Sequence, residues 1–395
     1  MMQPRILTLI VVAQFFCTSL WFAGNAVMSD LVLEMNLTAD FLAHITSAVQ
    51  FGFISGTLVF ALLTIADRYS PSRVFFVSAV LAALFNALVG WLHMGSFELL
   101  MLRFMTGFFL AGIYPIGMKI ASDYSREGLG KSLGFLVGAL VLGTAFPHLL
   151  KSFALAMPWR SVMYGTSLLS ILGGVAMHAL VPDGPFRKAG QRLEVTAFLS
   201  GFRNRDFRAA AIGYFGHMWE LYAFWAFVPV MLTAFATTYP EQQMNVSRWS
   251  FIIIGFGALA CVMGGYLAQR FGAVRIATGC LILSGLCCLL SPIMLSQSSS
   301  MMLLVFLFVW GLVVIADSPL FSTLIARYAP AETRGTALTI VNCIGFSITI
   351  VSIQLLNHLM IRWDIHYLFV ILAAGPIMGV VALFLRTAQT PQEFR

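Results

Sequence analysis

Apolar runs, each closed by a charge, a proline or turn residues, recur along nearly the whole chain. Breaking them at those points predicts twelve spans. The first half reads 6–32, 41–66, 73–94, 97–122, 130–154 and 159–181. The second half reads 208–236, 248–269, 273–295, 300–327, 335–360 and 364–386. A bilayer core takes a helix of about 20 apolar residues, and the longer runs allow tilt. One long polar stretch interrupts the pattern, from Pro182 to Phe207, with Asp183, Arg187, Lys188, Arg192, Glu194, Arg203, Arg205 and Asp206. It is the natural connector between two six-helix bundles. The expected organisation is therefore 1–181, a linker 182–207 and 208–395, in an all-α polytopic membrane protein.

Composition agrees with this reading. Of 395 residues, 59% are hydrophobic and only 10% charged, too few charges to cover a water-soluble surface. The six cysteines lie inside apolar segments without a CxxC pair, so they read as small core residues. The apolar stretch after Arg5 is too long for a cleaved signal peptide and reads as a retained first span.

The net charge of +7 serves topology rather than nucleic acid. With the N-terminus inside, eighteen of the 23 Lys and Arg residues face inward and four face outward, Lys151, Arg160, Arg248 and Arg362. Arg103 alone lies within a span. That asymmetry orients the chain with both termini cytoplasmic. No phosphate loop, His-Glu-x-x-His or Gly-x-Ser-x-Gly elbow is present, so no enzyme and no cofactor is expected.

Two basic turns stand 202 positions apart. The first is Asp67-Arg68-Tyr69-Ser70-Pro71-Ser72-Arg73, the second Gln269-Arg270-Phe271-Gly272-Ala273-Val274-Arg275. With an offset of 204, Gly107 matches Gly311, Pro115 matches Pro319, Tyr124 matches Tyr328, Trp21 matches Trp225 and Trp159 matches Trp363. One structural unit is present twice. Parallel repeats of this kind are an architecture of secondary transporters, with the solute site at mid-membrane.

These features resemble the major facilitator superfamily over essentially the full length. Its Gly-x-x-x-Asp-Arg-x-Gly-x-x-Arg signature keeps Asp67, Arg68 and Arg73 in the first copy, with Leu63 and Ser70 in place of the glycines. The second copy keeps Gly265, Arg270, Gly272 and Arg275, with Gln269 in place of the acid. Arg103-Phe-Met-Thr-Gly107 resembles the family's Arg-x-x-x-Gly element, and Gly134, Gly138, Gly143 and Pro147 are loosely like the Gly-Pro element of drug–proton antiporters. The resemblance implies a gating role for Asp67, Arg68, Arg73, Arg270 and Arg275. It also implies that spans 1, 4, 7 and 10 line the cavity.

Ionisable groups inside a membrane are costly and point to function. Two acids lie well inside spans, Glu220 and Asp317, at similar depth by helical rise. His217 precedes Glu220 by three residues and shares its side of the helix. These three are the candidates for proton coupling; permanently protonated carboxyls bonded to neighbouring helices are the alternative. Gln14, Trp21 and Asn25 of span 1 and Trp219, Tyr222 and Trp225 of span 7 are candidate cavity residues, with interhelical packing as the alternative. Arg103 could meet an anionic solute, reach Glu98, or bond the backbone of span 1 as the resemblance implies. Tyr114-Pro115 and Ser318-Pro319 are candidate bends, with Tyr114 at the cavity.

The expectation is a proton-coupled secondary transporter of a small organic solute, monomeric, in a bacterial inner membrane. Export of toxic compounds is favoured, because an aromatic cavity with acids accommodates cations. Uptake of an organic anion by symport is the near rival, resting on Arg103. A sensor or lipid mover on the same scaffold is more distant.

Overall fold

The computed structural model describes residues 4–38, 40–91, 95–124, 129–153, 158–187, 201–330 and 334–387. The connector residues Lys188, Arg192 and Glu194 lie outside the described residues, as do Arg126 and Arg395. The described chain is all-α. Eleven helical stretches are long and apolar enough to cross a membrane, from Phe41–Leu62 to Ile365–Arg386, and a shorter apolar helix, Arg5–Thr18, opens span 1.

Span 1 is broken into three pieces, Pro4–Thr18, Ala23–Ala26 and Met28–Met35. No proline or glycine lies at the first break. Thr18 Oγ1 bonds the carbonyls of Gln14 and Phe15, and Ser19 Oγ bonds that of Phe16. Hydroxyls that take carbonyls of the preceding turn compete with the helix ladder. The chain then turns through three-residue bonds, Trp21 N–H to Thr18 O and Ala23 N–H to Leu20 O.

Spans 4 and 10 break at matched places. Ser96–Leu110 is followed by Tyr114–Asp123, and Ser300–Val313 by Ser318–Tyr328. Pro115 and Pro319 stand in the first turn of the second piece, where a missing N–H costs nothing. The expected bends are therefore full interruptions, each with a short non-helical link.

By contact the chain forms two compact units, residues 1–190 with 225–258, and residues 191–224 with 259–395. The helix Arg205–Thr238 passes from one unit to the other at Phe224/Trp225.

In the first unit, spans 2 and 4 touch backbone to backbone. A Cβ on Gly107 would overlap the Val49 carbonyl, and one on Gly52 the Phe104 carbonyl. Small residues are the usual means of close helix approach where lipid offers no hydrophobic drive. Spans 3 and 6 are joined by Ser170 Oγ to Ala79 O and Ser72 Oγ to Val181 O. The far end of span 1 is tied to spans 5 and 6. Lys151 Nζ meets Asp30 at 2.6 Å, and Trp159 Nε1 and Arg160 both bond Glu34.

In the second unit, Gly216 of span 7 and Gly375 of span 12 face each other's backbone. A Cβ on Gly345 of span 11 would press on the Tyr214 ring, and one on Gly213 on Phe321 of span 10. Span 7 is thereby held on several sides.

Gly107→Val forces carbonyl and side chain into one space and is expected to cost about 1–3 kcal/mol. Gly265→Val, where a Cβ meets nothing within 4 Å, should leave stability unchanged. Thermal unfolding of both variants in detergent checks the contrast.

Candidate functional site

Glu220 lies on span 7 and is 1% exposed. Its carboxylate accepts from three neutral donors of the second unit. Trp310 Nε1 stands 2.6 Å from Oε1, Cys288 Sγ 3.3 Å from Oε1, and Ser284 Oγ 2.9 Å from Oε2. Ser284 and Cys288 are one turn apart on span 9, so one helix face presents both. Trp310 is fixed by ring contacts with Phe224 and Phe306.

His217 does not meet Glu220. Its Nδ1 lies 2.9 Å from Asp317 Oδ1, and both side chains are almost fully buried. The ring N–H is not aligned with that oxygen, and Nε2 has no partner. The pair is a close approach between a buried imidazole and a buried carboxyl. Asp317 sits at the break in span 10 and caps Ser318–Tyr328 by position, with its backbone carbonyl accepting from Leu320 and Phe321. A carboxylate at a helix N-terminus gains from the helix dipole.

Trp219 donates to the Ile371 carbonyl at 3.2 Å, where span 12 passes through a 3₁₀ segment, Phe369–Ala373. It joins spans rather than standing free. Tyr222 packs on Phe346, ring centroids 5.2 Å apart.

In the first unit, Arg103 is fully buried, and both terminal nitrogens of its guanidinium are bonded while Nε is not. Nη2 bonds the carbonyls of Leu20 and Trp21, both at 2.9 Å, within the first break of span 1. Nη1 bonds Asn86 Oδ1 at 2.7 Å. Asn86 Nδ2 in turn reaches Met163 O, Thr166 Oγ1 and Ser167 Oγ of span 6. Among the described residues no carboxylate accepts from Arg103. Of the three sequence alternatives, the backbone of span 1 holds it.

Gln14 is fully buried and neither end of its amide has a partner; Gly117 of span 4 leaves room for it. Asn25 Nδ2 donates to Thr46 Oγ1 at 2.7 Å, leaving Oδ1 unbonded. Trp21 packs on Phe53 at 4.8 Å, and Trp225 meets Phe22 edge-on at 6.3 Å. Tyr114 is buried at the start of the second piece of span 4.

The first basic turn is a network. Asp67 pairs with Lys119 at 3.2 Å, and Lys119 also meets Asp123 at 3.7 Å. Arg187 bonds the Asp67 and Tyr69 carbonyls and pairs with Asp183 at 2.8 Å. Arg68 bonds Thr64 at 3.1 Å. Among the described residues Arg73 has no ion pair or hydrogen bond. The second turn is exposed, with Arg270 lying 5.2 Å over the Phe271 ring and Arg275 exposed beside it.

Several residues escaped the sequence reading. Ser284, Cys288, Trp310 and Asn86 are polar or weakly polar groups in apolar runs, and only their partners mark them. Thr144 and His148 lie one turn apart on span 5, buried, each with an atom lacking any partner. Pro147 beside them cannot donate to the Gly143 carbonyl. A histidine next to a mid-span proline was the available signal.

The Major Facilitator Superfamily model matches residues 10–352 and again 210–395. The chain belongs to the major facilitator superfamily. It is therefore a multi-pass membrane protein of a transporter family. It is 22% identical to the benzoate transport protein of Acinetobacter baylyi, covering 88% of this chain and 81% of that one. Two solved structures share the fold. The human organic anion transporter MFSD10 (TETRAN) superposes with a TM-score of 0.74 at 12% identity, over 96% of this chain and all of the other. A bacterial homologue of the human lysosomal transporter Spinster, inward-facing and unoccupied, gives 0.69 at 12% identity over 99% of this chain and all of the other.

In this superfamily chain, the Arg103 clamp makes a stability prediction. Asn86→Leu removes one acceptor from a buried guanidinium and strands its span 6 partners. The expected loss is about 2–3 kcal/mol, read as a lowered unfolding temperature of the purified protein.

Proposed function

We propose that this chain is a proton-coupled transporter of a small aromatic organic acid, working by alternating access. The observation that carries it is the set of buried titratable groups His217, Glu220 and Asp317, none paired with a fixed cation. A carboxyl shielded from water ionises at an energetic cost, so small changes in its surroundings decide whether it holds a proton. His217 and Asp317, 2.9 Å apart, can share or pass one. Glu220, held by Trp310, Ser284 and Cys288, is the second acceptor.

An acid is favoured over a cationic drug by the state of these carboxylates. Each already has close partners inside the second unit, so neither offers an open negative charge. The first unit supplies neutral donors with no acceptor, the Gln14 amide and the Thr144 hydroxyl. The similarity to a benzoate transport protein supports the same class of solute. Arg103 takes no part in contacting it; its charge holds the break of span 1. In the first unit Trp21, Tyr114 and Trp225 add aromatic surface and Asn25 a polar group; in the second, Tyr222 adds an aromatic ring and Trp219 fixes span 7 to span 12.

The functional halves in this reading follow the chain, 1–181 and 208–395 joined by 182–207, in a monomer of a bacterial inner membrane with cytoplasmic termini. Asp67 with Lys119, and the arginines Arg68, Arg73, Arg270 and Arg275, hold the inner ends of their spans until the halves rock.

The test uses proteoliposomes with an imposed pH gradient and radiolabelled benzoate as the aromatic acid. Wild type should accumulate it. Glu220→Gln and Asp317→Asn should lose at least about tenfold of gradient-driven accumulation yet still exchange benzoate with benzoate. Full accumulation by both variants removes the coupling role. Failure of wild type to bind or move any aromatic acid removes the solute class.

A further inference from the structure

The first basic turn borders a cavity set apart from the buried polar groups of the proposed transport site. It has a volume of about 470 Å³ and lies within the first unit, between the facing ends of spans 2 and 3 and the middle of span 4. Its wall is apolar, built from Phe60, Ile65, Val74, Val77 and Phe109. Its rim carries Arg68 and Arg73. Thr64 makes the shape possible. It takes a left-handed φ of 50°, ends the long helix of span 2, and turns the short helix Ile65–Arg68 aside. Gly112 lets Phe60 and Ser78 approach each other across span 4.

The charges at this rim are not balanced. Asp67 is taken by Lys119, and Asp183 by Arg187 and Ser70. Among the described residues Arg68 spends one donor on Thr64 and Arg73 spends none. Both guanidinium groups are exposed, and Val77, 52% exposed, opens the wall to the surroundings of the spans. Two uncommitted cations thus stand over an apolar groove at the end of membrane-crossing helices. Guanidinium groups bind phosphate through paired N–H bonds, and basic pockets between membrane helices suit acidic lipid head groups.

The geometry points to a binding site for an anionic phospholipid, its phosphate on Arg68 and Arg73 and an acyl chain in the groove along Phe60, Val77 and Phe109. The lipid joins spans 2, 3 and 4 at the turn that carries the Asp67–Lys119 pair. Its presence therefore stabilises the packing of that end. The site is independent of the solute and of the proton-carrying groups.

Thermal unfolding of the purified full chain tests it, in micelles doped with phosphatidylglycerol, with phosphatidylcholine of the same acyl chains, or with soluble glycerol 3-phosphate. Phosphatidylglycerol should raise the unfolding temperature by several degrees over phosphatidylcholine, and glycerol 3-phosphate should not. Arg68→Gln with Arg73→Gln should abolish the increment. Val77→Trp fills the groove at an exposed position, keeps both arginines, and should abolish it as well. An increment retained in the double variant overturns the site. So does one retained in Val77→Trp, which would mean surface charge alone. Equal stabilisation by phosphatidylcholine or by glycerol 3-phosphate overturns it too, by removing the head-group or the acyl-chain requirement.

Discussion

A helix that breaks inside a membrane must find partners for the carbonyls it frees, because lipid supplies none. Span 1 breaks after Thr18, and Arg103 supplies the partners. Its guanidinium bonds Leu20 O and Trp21 O from span 4, while Asn86 brings in spans 3 and 6. Four spans of the first unit thus meet at one buried charge. Burying that charge is expensive, and the carbonyl and amide dipoles around it offset the cost. The break it supports places Gln14 and Asn25 on separate helical pieces, so their unbonded atoms can face different directions.

The second unit buries the opposite charge inside its spans. Glu220 and Asp317 are buried acids, one ringed by three neutral donors and one beside a histidine at a helix break. Neutral donors hold a carboxylate without fixing its charge, whereas an arginine partner would lock it ionised. That difference separates a structural charge, Arg103, from the acids proposed to carry the proton. It also explains why the first unit can be rigid at Arg103 while the second holds titratable groups.

Much of this was legible in the residue pattern. The twelve apolar runs, the offset between the halves and the placement of Glu220, Asp317 and Arg103 inside spans all follow from hydropathy and charge. The helix breaks were harder. Pro115 and Pro319 announced a disturbance but not its extent, and the break after Thr18 has no proline or glycine to mark it. It depends on hydroxyl back-bonding and on an arginine 83 residues away. Partnerships across helices were hidden for a similar reason. Helical period puts His217 and Glu220 on one side, yet packing against spans 9 and 10 sends them to different partners. Trp219 read as a cavity candidate, and period alone does not foresee its bond to the Ile371 carbonyl of span 12. Thr144 and His148 were passed over because their significance lies in partners they lack.

The central claim is that Glu220 and the His217–Asp317 pair change protonation when solute binds. Infrared difference spectroscopy of the full chain, with and without benzoate, observes carboxyl protonation directly. The account predicts a change in the protonated-carboxyl stretching band that disappears in the combined Glu220→Gln and Asp317→Asn variant. A spectrum in which benzoate binds and that band stays unchanged, or changes equally in the variant, would contradict it.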